Sequence, residues 1–366
     1  MNLELSEEQV ALRDTVRRFL GERASIATHV RPMLDDPTGT TDAVWHGLAD
    51  LGATGVLVGE EYGGAGMGMV EAGVVAEELG AALHPGPWLS TAVAAVRALN
   101  RFGLDDAALQ SGIAAGTTIA TVGPVLDTRP RVESTEAGPT LNGQLAALPD
   151  AAAATVLLVL ADDDGGNTAL FAVDPAAPGV TVTPRRQVDP TSKLFDVDVD
   201  AVPALRLGVA SDAALDALAD DVLIARAADA LGAARAVLDL AVEYAKVRRQ
   251  FDAPIGSFQA VQHLCVDMYE TVELARGGVI HAQWAADAAD AFERRLAALR
   301  AKAFAGRLAT VGDTAIQVFG GIGYTWEHDA HLYLKRLLGW SSLYGGSERY
   351  LEAVGRRLAL AGGERN

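Results

Sequence analysis

The stretch from Tyr244 to Met268 constrains this chain more than any other: Tyr-Ala-Lys-Val-Arg-Arg-Gln-Phe-Asp-Ala-Pro-Ile-Gly-Ser-Phe-Gln-Ala-Val-Gln-His-Leu-Cys-Val-Asp-Met. Before it, Val222, Leu223, Ala227, Ala230, Leu231, Ala234, Leu238 and Val242 form an apolar stripe at helical spacing over 221–247. After it, Ser257 can cap a second long helix whose inner face carries Val261, Leu264, Cys265, Met268 and Val272. Between the two, Phe251-Asp-Ala-Pro-Ile-Gly256 reads as a bend, because Pro254 is poor inside a helix and Gly256 permits a tight turn. Arg248, Arg249 and Gln250 then sit at a helix C-terminus, where the exposed carbonyls favour cations.

The rest of the chain is arranged around this hairpin. Ser6-Glu-Glu-Gln9 is a capping-box pattern that opens a helix through about residue 20, with Val10, Val16 and Phe19 inside. Trp45, Leu48, Leu51 and Gly52 mark a second helix and its stop, and residues 70–83 form a third. The glycine-rich Glu60-Glu-Tyr-Gly-Gly-Ala-Gly66 between them lacks the strand before and the Lys-Ser/Thr after that a phosphate cradle needs, so it reads as a loop. From about 117 the period changes. Short β-type runs at 118–122, 141–145, 155–160, 169–173, 180–183 and 195–199 are separated by Asp, Gly and Pro clusters. Strands so spaced, without intervening helices, predict a small antiparallel barrel or sandwich. Helical pattern returns over 211–248, 257–290 and 291–319, and again from Ser347. The fold class is α+β, mostly α. It comprises an N-terminal helical domain (1–116), a middle β domain (117–208) and a C-terminal helical bundle (209–366).

Charge and cysteine content narrow the function. A formal charge of −18 argues against nucleic acid and against an anionic membrane surface. The single cysteine, Cys265, permits no intrachain disulfide and points to a reducing cytoplasm. The N-terminal Met-Asn-Leu-Glu-Leu has no basic export-type segment, and the apolar run 151–161 is too short to span a bilayer. Trp326-Glu327-His328 has no metal-ligand partner at useful spacing, and no metal is expected.

The ordered set Arg248, Phe251, Pro254-Ile255, Gln259 and Asp267-Met268, followed by Gln317-Val-Phe-Gly320-Gly321-Ile-Gly-Tyr324, resembles the acyl-CoA dehydrogenase family. Glu60–Gly66 and Glu77-Glu-Leu-Gly80 match its N-terminal helical domain, so the resemblance covers essentially the whole chain. It implies the three-part plan above, with a middle antiparallel β-barrel and a C-terminal four-helix bundle. It also implies FAD as cofactor, an acyl-CoA thioester as substrate and electron-transfer flavoprotein as acceptor. In the family, the matched set binds the adenosine-diphosphate part of a neighbouring subunit's FAD. Here that set is Arg248, Phe251, Gln259, Gln317, Val318, Phe319, Gly320 and Gly321. Arg suits a pyrophosphate through its paired donors.

Two family features are replaced. The flavin-ring loop, of Thr-Glu-Pro-x-x-Gly-Ser-Asp type, is here Thr121-Val-Gly-Pro124 followed by Val-Leu-Asp-Thr. The catalytic Glu is absent from both usual positions, which hold Gly345 in Tyr344-Gly-Gly-Ser347 and Val222 on the helix before the Arg corner. Asp221, next to Val222, is the remaining acidic candidate, and its alternative reading is an exposed carboxylate at a helix start. Glu348 reads as a first-turn charge and His263 as an interface or core histidine. The combination implies one member of an α2β2 heterotetramer, acting on bulky acyl-CoA esters. This chain would supply the ADP-binding half, and a second acyl-CoA dehydrogenase-like subunit the base. The alternatives are a self-sufficient homotetrameric flavoenzyme, dehydrogenase or monooxygenase, and a purely structural subunit.

Overall fold

The computed structural model describes residues 4–136, 138–163 and 165–363; Met1–Leu3 of the N-terminal segment and Asp164 of the acidic turn lie outside them. Among the described residues, the helices before the sheet are α1 (Glu7–Arg23), α2 (Asp42–Asp50), α3 (Met69–Ala81), α4 (Val96–Phe102) and α5 (Ala107–Ala114). The strands are β1 (Ala120–Gly123), β2 (Arg131–Thr135), β3 (Gly138–Pro149), β4 (Val156–Asp162), β5 (Thr168–Val173), β6 (Val180–Pro184), β7 (Leu194–Pro203) and β8 (Leu205–Ala210). After the sheet come α6 (Asp212–Val247), α7 (Gln259–Ala288), α8 (Ala291–Ala305), α9 (Ala309–Phe319), α10 (Ala330–Ser342) and α11 (Ser347–Gly363). The Ser6–Gln9 capping box forms as the sequence predicts, with both of its hydrogen bonds present.

The helices before and after the sheet share one apolar core rather than burying separate ones. The tightest junction is the crossing of α3 and α6. A Cβ on Gly232 would stand 1.8 Å from the Glu77 carbonyl oxygen, and one on Gly80 would stand 1.9 Å from that of Asp229. Two backbones in such contact leave room only for glycine. Glu78, buried beside this crossing, accepts from both Arg17 and Arg235 at 2.8 Å.

The expected closed barrel does not form. The sheet runs β6-β7-β3-β2-β4-β5-β8 with its end strands unpaired to each other, and β1 joins it as a parallel neighbour of β4. β2 also meets β4 in parallel, through the single pair Arg131–Asp162, so the sheet branches at β4 rather than curling shut. β4 itself reads as an unbroken apolar run because both of its faces are covered. Leu157, Val159 and Ala161 enter a core internal to the sheet, while Leu158 and Leu160 enter the helical core.

In the C-terminal part, α6, α7, α8 and α9 form the expected bundle, with α10 and α11 packed on it. The stretch 291–319 is two helices, not one. The break falls at Gly306, where a Cβ would lie 2.1 Å from Ser347 Oγ at the start of α11. No helix among the described residues is long and apolar enough to cross a membrane.

Candidate cofactor-binding site

The corner between α6 and α7 is a miniature hairpin. Arg249–Gln250 pairs antiparallel with Ala253–Pro254. Its turn residues are Phe251 (φ 53°) and Asp252 (φ 60°), not the Pro and Gly from which the sequence predicted the bend. Two consecutive non-glycine residues in the left-handed region cost on the order of 1–3 kcal/mol each. Such strain persists only where the surroundings impose it. Gly256 supplies part of that constraint, since a Cβ there would come within 2.9 Å of the Ala245 carbonyl oxygen. Ser257 does not cap α7, whose N-cap is Phe258; its hydroxyl donates instead to the Pro254 carbonyl at 2.7 Å.

This hairpin presents an exposed aromatic and a free cation. Phe251 is 88% exposed and meets Phe258 edge-on at 6.2 Å. The Arg248 side chain is exposed and makes no hydrogen bond or ion pair to any described residue. Arg249, its neighbour, is committed to the hairpin and donates to the Asp252 carbonyl. Gln259 is exposed on the first turn of α7. His263, one turn on, is also exposed rather than a core residue.

The second predicted stretch lies against the first. Tyr244, one turn before Arg248, packs on Phe319 with ring centroids 5.0 Å apart, and His328 packs on Phe319 at 4.3 Å with the rings tilted. The aromatic trio joins the end of α6 to the end of α9, a packing that the sequence, which offers Tyr244 only as the start of the corner and His328 only as a metal ligand without partners, does not predict. Their signal was the helical offset of Tyr244 from Arg248. Within the second stretch the residues divide. Gln317, Gly320 and Gly321 are exposed, whereas Val318 and Phe319 are buried, so those two side chains serve the core and only their backbone can face a ligand. Gly320 adopts φ 65°, and a Cβ on Gly320 or Gly321 would meet nothing within 4 Å. The glycines are therefore open to close approach from outside. An unpaired guanidinium, an exposed ring, two amides and an accessible glycine backbone fit the phosphates and adenosine of FAD.

The two positions at which the resemblance expects a base hold no acid. Gly345 has φ 100° and its would-be Cβ lies 3.1 Å from Arg349 Cδ. Val222 is buried in the helical core. Asp221 is not an exposed helix-start carboxylate: it is fully buried, ten residues into α6. Its oxygens accept from Arg97 at 2.7 and 3.2 Å and from Arg101 at 2.9 and 3.0 Å. Arg97 also pairs with Asp287 at 2.8 Å, so the cluster ties α4, α6 and α7 together. The next residue back, Asp220, is likewise fully buried and takes Arg294 and Arg295 of α8. Both carboxylates are structural clamps, and Asp221 has no free face toward a substrate. Glu348 is an exposed charge in the first turn of α11.

A family model for the acyl-CoA dehydrogenase N-terminal domain matches residues 6–108, and one for the acyl-CoA dehydrogenase C-terminal domain matches residues 223–359. The chain is 38% identical over 362 residues (96% of its length) to acyl-CoA dehydrogenase FadE34 of Mycobacterium tuberculosis, and spans only 48% of that relative's own length. Its fold superposes on the Tcur3481-Tcur3483 steroid ACAD with a TM-score of 0.88 at 31% identity, covering 98% of this chain and 99% of that one. The ChsE4-ChsE5 complex from Mycobacterium tuberculosis gives a TM-score of 0.86 at 27% identity, with coverage of 98% and 99%. Together with the helix–sheet–helix architecture and the corner just described, these matches make the chain a member of the acyl-CoA dehydrogenase family.

Proposed function

We propose that this chain is one subunit of a heteromeric, FAD-dependent acyl-CoA dehydrogenase, and that it grips the ADP half of a flavin cradled by a related partner chain. The observation that carries this reading is an asymmetry. The corner at Arg248 is complete and open, while both positions for a base are occupied by Gly345 and Val222. Similarity to a chain of the ChsE4-ChsE5 complex supports a second, related subunit, and similarity to a steroid ACAD supports a bulky acyl-CoA substrate. Electron-transfer flavoprotein is the acceptor in this reading, and the enzyme works in the cytoplasm.

Arg248 would supply two parallel donors to the pyrophosphate, Phe251 a face for the adenosine, and Gln259 and Gln317 amides to its polar edges. Gly320 and Gly321 would let the cofactor approach their backbone. FAD, when bound, supplies the hydride acceptor for α,β-dehydrogenation. The proton from the α-carbon goes to a carboxylate of the partner, because this chain offers none there. A purely structural subunit would need no unpaired guanidinium at this corner.

The test is flavin content. Purified alone, the chain is expected to be colourless, and co-expressed with its partner the complex should carry flavin and oxidise acyl-CoA. Stoichiometric flavin in the isolated chain would overturn the reading in favour of a self-sufficient enzyme. A complex whose flavin content is indifferent to Arg248→Ala would leave only the structural role.

A further inference from the structure

The corner that carries Arg248 and the loop that carries Gly320 and Gly321 follow different helices, and one small cluster sets them relative to each other. Tyr244 stands one turn before Arg248, and its carbonyl accepts from the Arg248 N–H at 2.8 Å. Phe319 directly precedes Gly320. His328 meets both rings, with its centroid 4.3 Å from that of Phe319 and 6.5 Å, edge-on, from that of Tyr244.

The same imidazole caps α10. The first N–H of that helix, Ala330, donates to His328 Nδ1 at 3.1 Å. Asp329 at the N-cap makes no side-chain cap bond, and its Oδ1 accepts from Arg31 at 2.7 and 3.0 Å. Arg31 also donates to the His328 carbonyl at 3.3 Å. An imidazole that accepts at Nδ1 keeps its single proton on Nε2 and is neutral. Protonating Nδ1 would set one N–H against another and place a cation at a helix N-terminus, where the dipole opposes it. Half-burial acts the same way and holds His328 below the ordinary histidine value; Asp329 opposes that lowering and Arg31 adds to it. From α6 the ring meets Tyr244 and from α9 Phe319, while His331, three residues along α10, packs edge-on against Trp326 and feels the charge of His328.

We propose that His328 is a proton-sensitive positioning residue for the cofactor grip. Neutral, it caps α10 and holds Tyr244 and Phe319 in one arrangement, and through them Arg248 and the backbone at Gly320 and Gly321. Charged, it gives up the cap and loosens that arrangement. The inference rests on the proposed function, which takes these residues as a grip on the ADP half of FAD. To that reading it adds a control: the cofactor is held while His328 is neutral and let go in acid.

The first measurement is FAD affinity of the assembled complex between pH 7.5 and 5. Loss of a neutral cap bond corresponds to about two- to tenfold in affinity, and the native complex should weaken by that factor as pH falls below about 6.5. His328→Asn keeps an acceptor for the Ala330 N–H but cannot titrate in this range, so its affinity should be flat with pH. His328→Phe keeps a ring without the acceptor; it should bind more weakly at pH 7.5 and also be flat. Any general weakening in acid is common to the three proteins and cancels in their ratios. His263→Gln should leave the native slope in place. A slope that survives in both His328 variants, or vanishes with His263→Gln, overturns the proposal. The second measurement needs no flavin: deuterium uptake of residues 319–324 in the lone native chain, relative to His328→Asn at matched pH. That ratio should rise below about pH 6.5. Should His328→Asn fail to fold, His328→Phe replaces it in both comparisons. A flat exchange ratio, where the complex does hold flavin, overturns the role of His328 alone. A complex that holds no flavin at any pH overturns the reading of the corner as a grip, whatever the exchange shows.

Discussion

At the scale of single residues, neighbours in sequence have opposite fates at the C-terminal end of α6. Arg248 is free and Arg249 is tied to its own turn. Removing a charged hydrogen-bond partner of a phosphate costs about 1.5–3 kcal/mol, roughly ten- to hundredfold in affinity. Arg248→Ala should therefore lower flavin retention of the assembled enzyme by that factor at unchanged circular dichroism. Arg248→Lys should recover part of it, and Arg249→Ala should change it far less; a flavin titration of the three variants separates these outcomes. Asp221 behaves differently from a base. Asp221→Asn leaves Arg97 and Arg101 in a buried cluster without their shared anion, a class of change that costs about 3–5 kcal/mol. The expected result is a large loss of stability in urea unfolding, rather than a fall in kcat of a stable enzyme. Installing the missing acid fails for a local reason. Gly345→Glu would force a side chain onto φ 100° and against Arg349, so the lone chain should gain no dehydrogenase activity in a dye-reduction assay.

At the scale of elements, the α3–α6 crossing is the least forgiving contact in the fold. Gly232→Ala drives a methyl into the Glu77 backbone and should destabilise by at least the roughly 1–3 kcal/mol typical of overpacking. Gly277→Ala on α7, where a Cβ meets nothing within 4 Å, should be neutral or gain up to about 1 kcal/mol of helix propensity in the isolated chain. Denaturant midpoints of the two variants should move apart. The elements themselves were legible wherever their own residues carried the signal. The capping box of α1, the apolar stripe of α6 and the two-faced run of β4 are local patterns, and each formed. β2 was missed because Val132 is its only apolar residue, and β8, where Leu205, Leu207 and Val209 do alternate, because it is a short run just after Pro203 whose alternating residues stay half-buried or exposed. The Arg248 corner was found from Pro254 and Gly256, yet the strained pair Phe251–Asp252 that makes the turn has no turn signature. The burial of Asp221 could not be read at all, because its partners Arg97 and Arg101 lie 124 and 120 residues away in sequence.

At the scale of the molecule, buried titratable groups set the response to acid. His84 and His29 stack at 5.5 Å, and burial holds His84 down to about 3. Its folded pKa is below its unfolded value of about 6.5, so the unfolded chain binds the extra proton as pH falls through 6.5, and stability is lost from there toward 3. Asp150, raised to about 6, acts the other way, gaining stability as pH falls from 6 toward its ordinary value, but its shift is the smaller of the two. The native chain should therefore weaken progressively below pH 6.5, and His84→Phe should flatten that slope in thermal melts run across pH 4 to 7.

The hairpin at Phe251 has a kinetic consequence. Its ladder, its close approach to α6 and the Tyr244–Phe319–His328 cluster hold it in shape in the lone chain, ahead of the partner proposed above. Docking onto it therefore needs no folding step, and the encounter should proceed as between two rigid bodies, in a single concentration-dependent phase. Under the proposed function, two copies of this chain meeting by the same surfaces would bring two ADP grips and a base at neither Gly345 nor Val222. On that reading an error of assembly is silent, yielding a pair without dehydrogenase activity.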